Sequence, residues 1–219
     1  MPTLAILPIK NFTEAKQRLE TTLTPGPRRA LAEAMFSDVL TALRRSSAVA
    51  DILVVTRDHG AQQIAGGHGA LVLDDEEHGH SPAALLGVRY AIEHGYERAL
   101  LVPGDCPVLD PRELDALIAR AHEVPSALIV PDRHGTGTNA LLLTPPDSIA
   151  PAFGPDSRER HVTDAEAAGM TPEVIEVASL ALDIDTPEDL EALQGTLETT
   201  HGGAAHTRGM LSQMLRSRT

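Results

Sequence analysis

Tryptophan is absent from this chain of 219 residues, aromatic residues make up 2% of it, and there is 1 cysteine. So few aromatic rings exclude a stacking platform for single-stranded nucleic acid and an aromatic hot spot for a protein partner. One cysteine excludes an internal disulfide framework and a cysteine-only zinc site. Positive charge is also scarce, with 18 Lys and Arg against 31 Asp and Glu and a net charge of −13 with His neutral. Such a surface repels nucleic acid and anionic membranes. No apolar run approaches the roughly 18 residues of a membrane span. Met1 to Lys10 lacks the basic-then-apolar layout of a signal peptide. The expectation is a soluble, cytoplasmic protein, and 42% hydrophobic against 22% charged residues is a globular balance.

Short apolar runs alternate with longer segments of helical period, the mark of an α/β domain with a mostly parallel, doubly wound sheet. Strands are expected at Leu4–Pro8, Ile52–Thr56, Ala70–Leu73 and Ala99–Val102. Helices are expected from Pro27 to Arg45 (Leu31, Met35, Val39 and Leu43 forming one stripe), at Ala61–Ala65, from Ala83 to His94, and through Leu114, Leu117, Ile118 and Ala121. Ala127–Val130 and Ala140–Leu143, joined by a Gly-rich turn, predict an antiparallel excursion. Leu180–Ile184 reads as a late strand and Pro187–Leu197 as a closing helix. No repeat or long linker divides the chain. The domain is expected over residues 1–194, with residues 195–219, Gly-, Thr- and His-rich and carrying a weak helix near Met210 to Leu215, as a loosely attached tail.

The most informative segment is Pro103-Gly104-Asp105-Cys106-Pro107. A buried strand stops at a Pro-Gly break and presents Asp105 beyond its carboxyl end, where ligands sit in open α/β sheets. Asp110 has a competing duty as the cap of a helix that begins at Pro111. In Leu182-Asp183-Ile184-Asp185-Thr186-Pro187-Glu188-Asp189, strand alternation turns Asp183 and Asp185 to one face, while Glu188 and Asp189 belong to a helix start. Asp183 and Asp185 read either as a solvated edge or, with Asp105, as oxygen ligands suited to Mg²⁺. A carboxylate facing only other carboxylates repels them when no metal is bound. Asp105→Asn is therefore expected to leave the metal-free protein no less stable.

Lys10, Lys16 and Arg18 follow the first strand and could reach nucleotide phosphates, although spacing alone favours an ordinary basic surface helix. Neither a Walker loop nor a G-x-G-x-x-G motif is present, and Gly66-Gly67-His68-Gly69 reads as a helix stop. Gly135-Thr136-Gly137-Thr138-Asn139 offers hydroxyl, amide and main-chain N–H groups to an anion. Phe153-Gly154-Pro155-Asp156-Ser157 precedes a helix whose N-terminus favours a phosphate or carboxylate. Both also read as a turn plus a cap, with Ser157 as N-cap. The acids and histidines of Asp74–His80 are expected to be solvated. Cys106, with nothing local to activate it, is expected to be a packing residue.

Five segments together resemble a known family: Ala15-Lys16-x-Arg18-Leu19, Pro103-x-Asp105-x-Pro107, Gly135-Thr136-Gly137-Thr138-Asn139, Phe153-Gly154-x-x-Ser157-x-x-x-His161 and Asp183-x-Asp185-Thr186-Pro187-x-Asp189-Leu190. Their order is similar to that of the phosphoenolpyruvate/2-phospho-L-lactate guanylyltransferases of coenzyme F-420 biosynthesis, over Leu4 to about Leu193. The resemblance implies the nucleotidyltransferase (nucleotide-diphospho-sugar transferase-like) fold and transfer of GMP from GTP to phosphoenolpyruvate or 2-phospho-L-lactate, releasing pyrophosphate. It implies that Thr138, Gly154 and Ser157 contact the acceptor, with Asn139 beside them. Asp105 and Asp185, joined by Asp183, would hold Mg²⁺, and Lys16, with Lys10 and Arg18, would face the GTP phosphates. Where relatives show Gly-Leu-Asn-x-Ala this chain has Gly79-His80-Ser81-Pro82-Ala83, which would place Ser81 near the nucleotide base. A homodimer is compatible with this reading. Another nucleotidyltransferase of the same fold, acting on a sugar phosphate or molybdopterin, and a non-catalytic nucleotide-binding regulator are the alternatives.

Overall fold

The computed structural model describes residues 1–75, 79–122, 124–200 and 202–216. Chain order is β1 (Thr3–Pro8), α1 (Pro25–Arg45), β2 (Asp51–Val55), α2 (His59–Gly67), β3 (Leu71–Leu73), α3 (His80–Glu93) and β4 (Arg98–Leu101). It continues with α4 (Pro111–Arg120), β5 (Ser126–Pro131), β6 (Thr138–Thr144), α5 (Ser157–Ala167), β7 (Glu173–Val174), α6 (Pro187–Thr199) and α7 (Ala205–Arg216). The seven strands form one sheet in the order β3-β2-β1-β4-β6-β5-β7. β1 pairs in parallel with β2 and β4, whereas β6 runs antiparallel to both β4 and β5. The expected Gly-rich excursion is therefore the β5–β6 hairpin.

Why the central strands read as continuous apolar runs is visible in their packing. Ala5 and Leu7 of β1 enter the cluster formed by Phe36, Val39 and Leu40 of α1 and by Leu114 and Leu117 of α4. Leu4 and Ile6 enter the opposite cluster with Ala84 and Val88 of α3. Helices cover both faces, so both side-chain sets are buried. α3 lies so close to the sheet that a Cβ on Gly87 would stand 2.3 Å from Ile6 Cγ2. The chain leaves β1 toward β2 on one side and leaves β4 toward β5 on the other. This makes the β1/β4 boundary a topological switch point, and a crevice opens at the strand ends there.

Two expectations are corrected. Leu180–Ile184 is not a strand: Ala178–Leu180 forms a 3-10 turn and residues 181–186 are irregular. Leu180 and Ile184 are fully buried, whereas Leu182 is half-buried like Asp183, so the alternation holds only at the two ends of the segment. Side chains replace the ladder, since Leu180 O accepts from Asn139 Nδ2 at 2.7 Å and from Cys106 Sγ at 3.6 Å. Nor is the segment from Gly195 loosely attached. Gly195 lies inside α6, and α7 packs on α1, with Ala204 and Leu211 joining Leu31, Met35, Leu193 and Leu197 in a third cluster. The Asp38 carboxylate of α1 accepts from the N–H groups of His206 at 3.0 Å and Thr207 at 2.8 Å, capping the first turn of α7. The weak helix expected near Met210 to Leu215 is present and longer, and its attachment was not legible because its apolar contacts and cap come from residues far away in sequence.

Candidate active site

Lys16 lies behind the crevice wall, against two acids that line it. The loop after β1 is pinned by Phe12, whose N–H donates to Asp58 Oδ2 at 3.0 Å, and by the fully buried Leu19. Between these anchors Lys16 takes a left-handed backbone conformation, φ 58° and ψ 37°. For a residue with a Cβ this strain costs on the order of 1–3 kcal/mol. The ammonium it positions bridges two carboxylates, a close contact with Asp105 Oδ2 and one of 2.9 Å to Asp185 Oδ1. Its side chain is 7% exposed. Burial alone pulls the Lys16 pKa down, but the charges of Asp105 and Asp185 outweigh it and hold the pKa above the ordinary lysine value.

Each carboxylate is delivered by a separate device. Asp105 follows β4 in a loop pressed against Ile9, where a Cβ on Gly104 would meet Ile9 Cδ1 at 2.5 Å. Asp183 Oδ1 accepts from Asn139 Nδ2 at 3.2 Å, so this amide nitrogen, spent on the Leu180–Asp183 segment, positions an acid. The Asp183 carboxyl is pushed up by burial and by Asp105. Asp185 is raised by burial but lies below the usual range because Lys16, with Arg18 and Lys10, favours its ionised form. Asp189 closes the capping box with Thr186, as expected, and also receives Arg133 at 2.6 Å. Asp110 is a cap, accepting from Arg112 N at 2.8 Å. Cys106 is buried, and burial raises its thiol pKa well above the ordinary value, which suits packing and not nucleophilic attack.

The geometry overturns one expectation outright. Asp105 does not face only carboxylates, because its Oδ2 holds a buried ammonium. The acid is a structural counter-ion as well as a candidate ligand.

A second wall comes from the β5–β6 turn and the start of α5. Thr138 opens β6, Gly154 has φ +119°, and Asp156, not Ser157, holds the cap position in a left-handed conformation of φ 56°. Ser157 is the first helical residue and is buried. Arg160 ties the preceding loop from outside, donating from Nη2 to Ala152 O at 2.9 Å and from Nη1 to Pro155 O. Sequence reasoning gave no role to His161, which stands fully buried behind this wall between Thr138 and Ala152. The available signal was its position four residues after Ser157, on the same face of α5.

These parts line one cleft of about 650 Å³, which brings together Asp105, Asp183, Asp185, Thr138, Asn139, Gly154, Ser157, Lys10, Arg18 and Ser81. Lys16, expected to face the phosphates, is not among the lining residues and touches the cleft through its two carboxylate partners. A neighbouring cavity of about 260 Å³ shares Lys10 and His80 with the cleft and extends over Ile9, Arg57 and Asp58 at the β1 and β2 ends. Glu76, Glu77 and His78 lie outside the described residues. Among the described residues, no three metal-ligating side chains form a preassembled cage. Asp105 Oδ1 is nevertheless buried without a hydrogen-bond partner among them. One or two hard carboxylates completed by phosphates and water are what Mg²⁺ usually takes, so the donor set fits that ion.

Fold and cleft define a nucleotidyltransferase-type α/β protein. The backbone is similar to that of a provisionally assigned nucleotide-diphospho-sugar transferase from Desulfovibrio desulfuricans G20, with a TM-score of 0.78 at 16% identity over 97% of this chain and 95% of that one. At that identity the likeness is one of fold. The family model described as "Guanylyl transferase CofC like" matches residues 3–216, and the chain belongs to that family. It is 54% identical, over 99% of its length and 98% of the relative's, to a phosphoenolpyruvate guanylyltransferase of Conexibacter woesei. It is 37% identical to a 3-phospho-D-glycerate guanylyltransferase of Colwellia psychrerythraea, over 88% of this chain and 91% of that protein. It is also 30% identical to a 2-phospho-L-lactate guanylyltransferase of Methanothermobacter thermautotrophicus, over 98% and 92%.

Proposed function

We propose that this protein transfers GMP from GTP to phosphoenolpyruvate, with 2-phospho-L-lactate as the second acceptor, in coenzyme F-420 biosynthesis in the cytoplasm. The observation that carries this reading is a single cleft lined by both halves of the required chemistry. Asp105, Asp183 and Asp185 stand with the basic residues of the β1 loop, and Thr138, Gly154 and Ser157 supply a pocket for a small anion. The 54% identical relative named for phosphoenolpyruvate favours that acceptor.

In the reaction an acceptor phosphate oxygen attacks the α-phosphorus of GTP. The new P–O bond forms as the bond to the β-phosphate oxygen breaks, and pyrophosphate leaves with that electron pair. Two anions must approach in line, so positioning and charge neutralisation dominate the catalysis. Lys10 and Arg18 attract the phosphates, and Lys16 holds a fixed positive charge between Asp105 and Asp185. No side-chain nucleophile is required, because the attacking phosphate is already ionised. Mg²⁺ held by Asp105 and Asp185, with Asp183 beside them, would neutralise phosphate charge when bound.

The test is pyrophosphate release from GTP and Mg²⁺ with phosphoenolpyruvate, 2-phospho-L-lactate, 3-phospho-D-glycerate and a sugar phosphate as separate acceptors. Phosphoenolpyruvate or 2-phospho-L-lactate should stimulate release, with ATP a poorer donor than GTP. A response to the sugar phosphate alone would move the protein to another activity of the fold. GTP binding without release in any arm would make it a nucleotide-binding regulator.

A further inference from the structure

The two ring nitrogens of His161 have partners of different kinds. The N–H of Ala152 lies 2.9 Å from Nε2, and a backbone N–H only donates. Nε2 therefore presents its lone pair, and a neutral imidazole then carries its proton on Nδ1. Nδ1 is 3.0 Å from Thr138 Oγ1, so in this contact the imidazole donates and the threonine oxygen accepts. The ring cannot rotate freely, since Phe153 packs against it at 5.3 Å with an interplanar angle of 74°. It cannot readily charge either. Burial pushes its pKa down to about 4 against an opposing pull from Asp164, and an imidazolium would set an N–H against the N–H of Ala152. Among the described residues the Thr138 hydroxyl has no other hydrogen-bond partner, and Thr138 lines the cleft.

We infer that His161 fixes the polarity of Thr138, so that its hydroxyl meets the acceptor acid as a hydrogen-bond donor aimed at a phosphate or carboxylate oxygen. This rests on the proposed reading that Thr138 faces the acceptor. An unconstrained hydroxyl presents a lone pair as readily as a proton, and a lone pair repels an oxyanion. With Nδ1–H placed on Oγ1, the unproductive orientation is removed before substrate arrives, which is preorganisation of a polar contact. His161 touches no substrate in this scheme. It is a positioning residue whose effect passes through one oxygen atom.

Two substitutions separate the arms of the relay. His161→Gln keeps a polar atom near the Nε2 position for Ala152 but withdraws the donor from Thr138. His161→Asn keeps a donor near the Nδ1 position and abandons Ala152. With phosphoenolpyruvate as the probe, His161→Gln should raise its KM about tenfold, the scale of a hydrogen bond to a charged group, with the KM for GTP unchanged. His161→Asn should lose thermal stability yet keep the acceptor KM within about threefold, well short of losing that bond. In a Thr138→Val background His161→Gln should have no further effect on the acceptor KM. The relay is overturned if the His161→Gln and Thr138→Val effects multiply, or if both His161 variants raise KM in proportion to lost stability. An acceptor KM unchanged by Thr138→Val alone would instead overturn the placement of the acceptor at Thr138, and the relay with it.

Discussion

Replacing Asp105 with Asn tests the counter-ion role that the fold assigns to this acid. In the metal-free protein the Lys16 ammonium, 7% exposed, rests on Asp105 and Asp185. Asn keeps the shape and removes one of the two charges. Breaking a fully buried pair costs about 3–5 kcal/mol. Asp105 is 26% exposed and Asp185 remains in place, so the cost here is discounted to about 1–2 kcal/mol. In a chain of this size that lowers Tm by roughly 2–8 °C. Calorimetry in excess EDTA measures it directly. Lys16→Met supplies the second arm: with the ammonium gone, carboxylate repulsion dominates, and Asp105→Asn should then be neutral or stabilising. Turnover with Mg²⁺ should fall by orders of magnitude in Asp105→Asn, while the Asp110→Asn control keeps activity and stability because Asn also caps helices. An Asp105→Asn protein that melts in EDTA at or above the parent would refute the counter-ion reasoning.

Ser157→Ala should raise the acceptor KM by about 10- to 100-fold, the worth of one hydrogen bond to a charged group, without changing the KM for GTP; equal damage to both would place Ser157 at the nucleotide. Acid stability should carry the mark of His161. Its folded pKa is about 4 against an ordinary 6.5, so its contribution is complete above pH 6.5 and is lost as pH falls toward 4. At 1.36 kcal/mol per pH unit the loss amounts to roughly 3 kcal/mol. Urea unfolding from pH 8 to 4 should show this slope flattened in His161→Asn, and an unchanged slope would locate the acid sensitivity elsewhere. Asp38→Ala should cost about 1–2 kcal/mol through the lost cap and make residues 202–216 sensitive to protease, whereas an unchanged digestion pattern would show that apolar contacts alone hold α7.

Elements whose burial is written in local periodicity were legible. β1, β4 and the hairpin strands stand where the apolar runs lie, and α1 and α4 follow their stripes. α3 begins at His80, three residues before its apolar period, because Gly79 at φ +107° turns the chain into it and Pro82 is tolerated in a first turn. Elements defined by distant partners were not legible. The two-residue β7 exists through its pairing with β5, and the Leu180–Asp183 segment takes its shape from the Asn139 amide. The site divides in the same way. Strand ends and motif order pointed to Asp105, Asp183, Asp185, Thr138 and Ser157. Which acid holds Lys16 is a fact of tertiary contact with no signature in spacing, and the spacing of His161 from Ser157 gave its helix face but not its contact with Thr138.

α1 is buried on two sides, by the sheet and by α7, and Asp38 bonds to a residue 169 positions later. During synthesis α7, which covers the outer face of α1, emerges well after α1 itself. Until α6 and α7 follow, Leu31 and Met35 have only the earlier members of their cluster, Leu19 and Leu23, against them and lack Leu193, Leu197, Ala204 and Leu211. The nascent molecule thus carries a sticky seam that is sealed only when α7 arrives, a long-range closure of the kind that slows folding and invites association. A frameshift or nick near residue 200 would reopen that seam while leaving the cleft's own residues intact, so the toll would fall on soluble yield before it fell on chemistry.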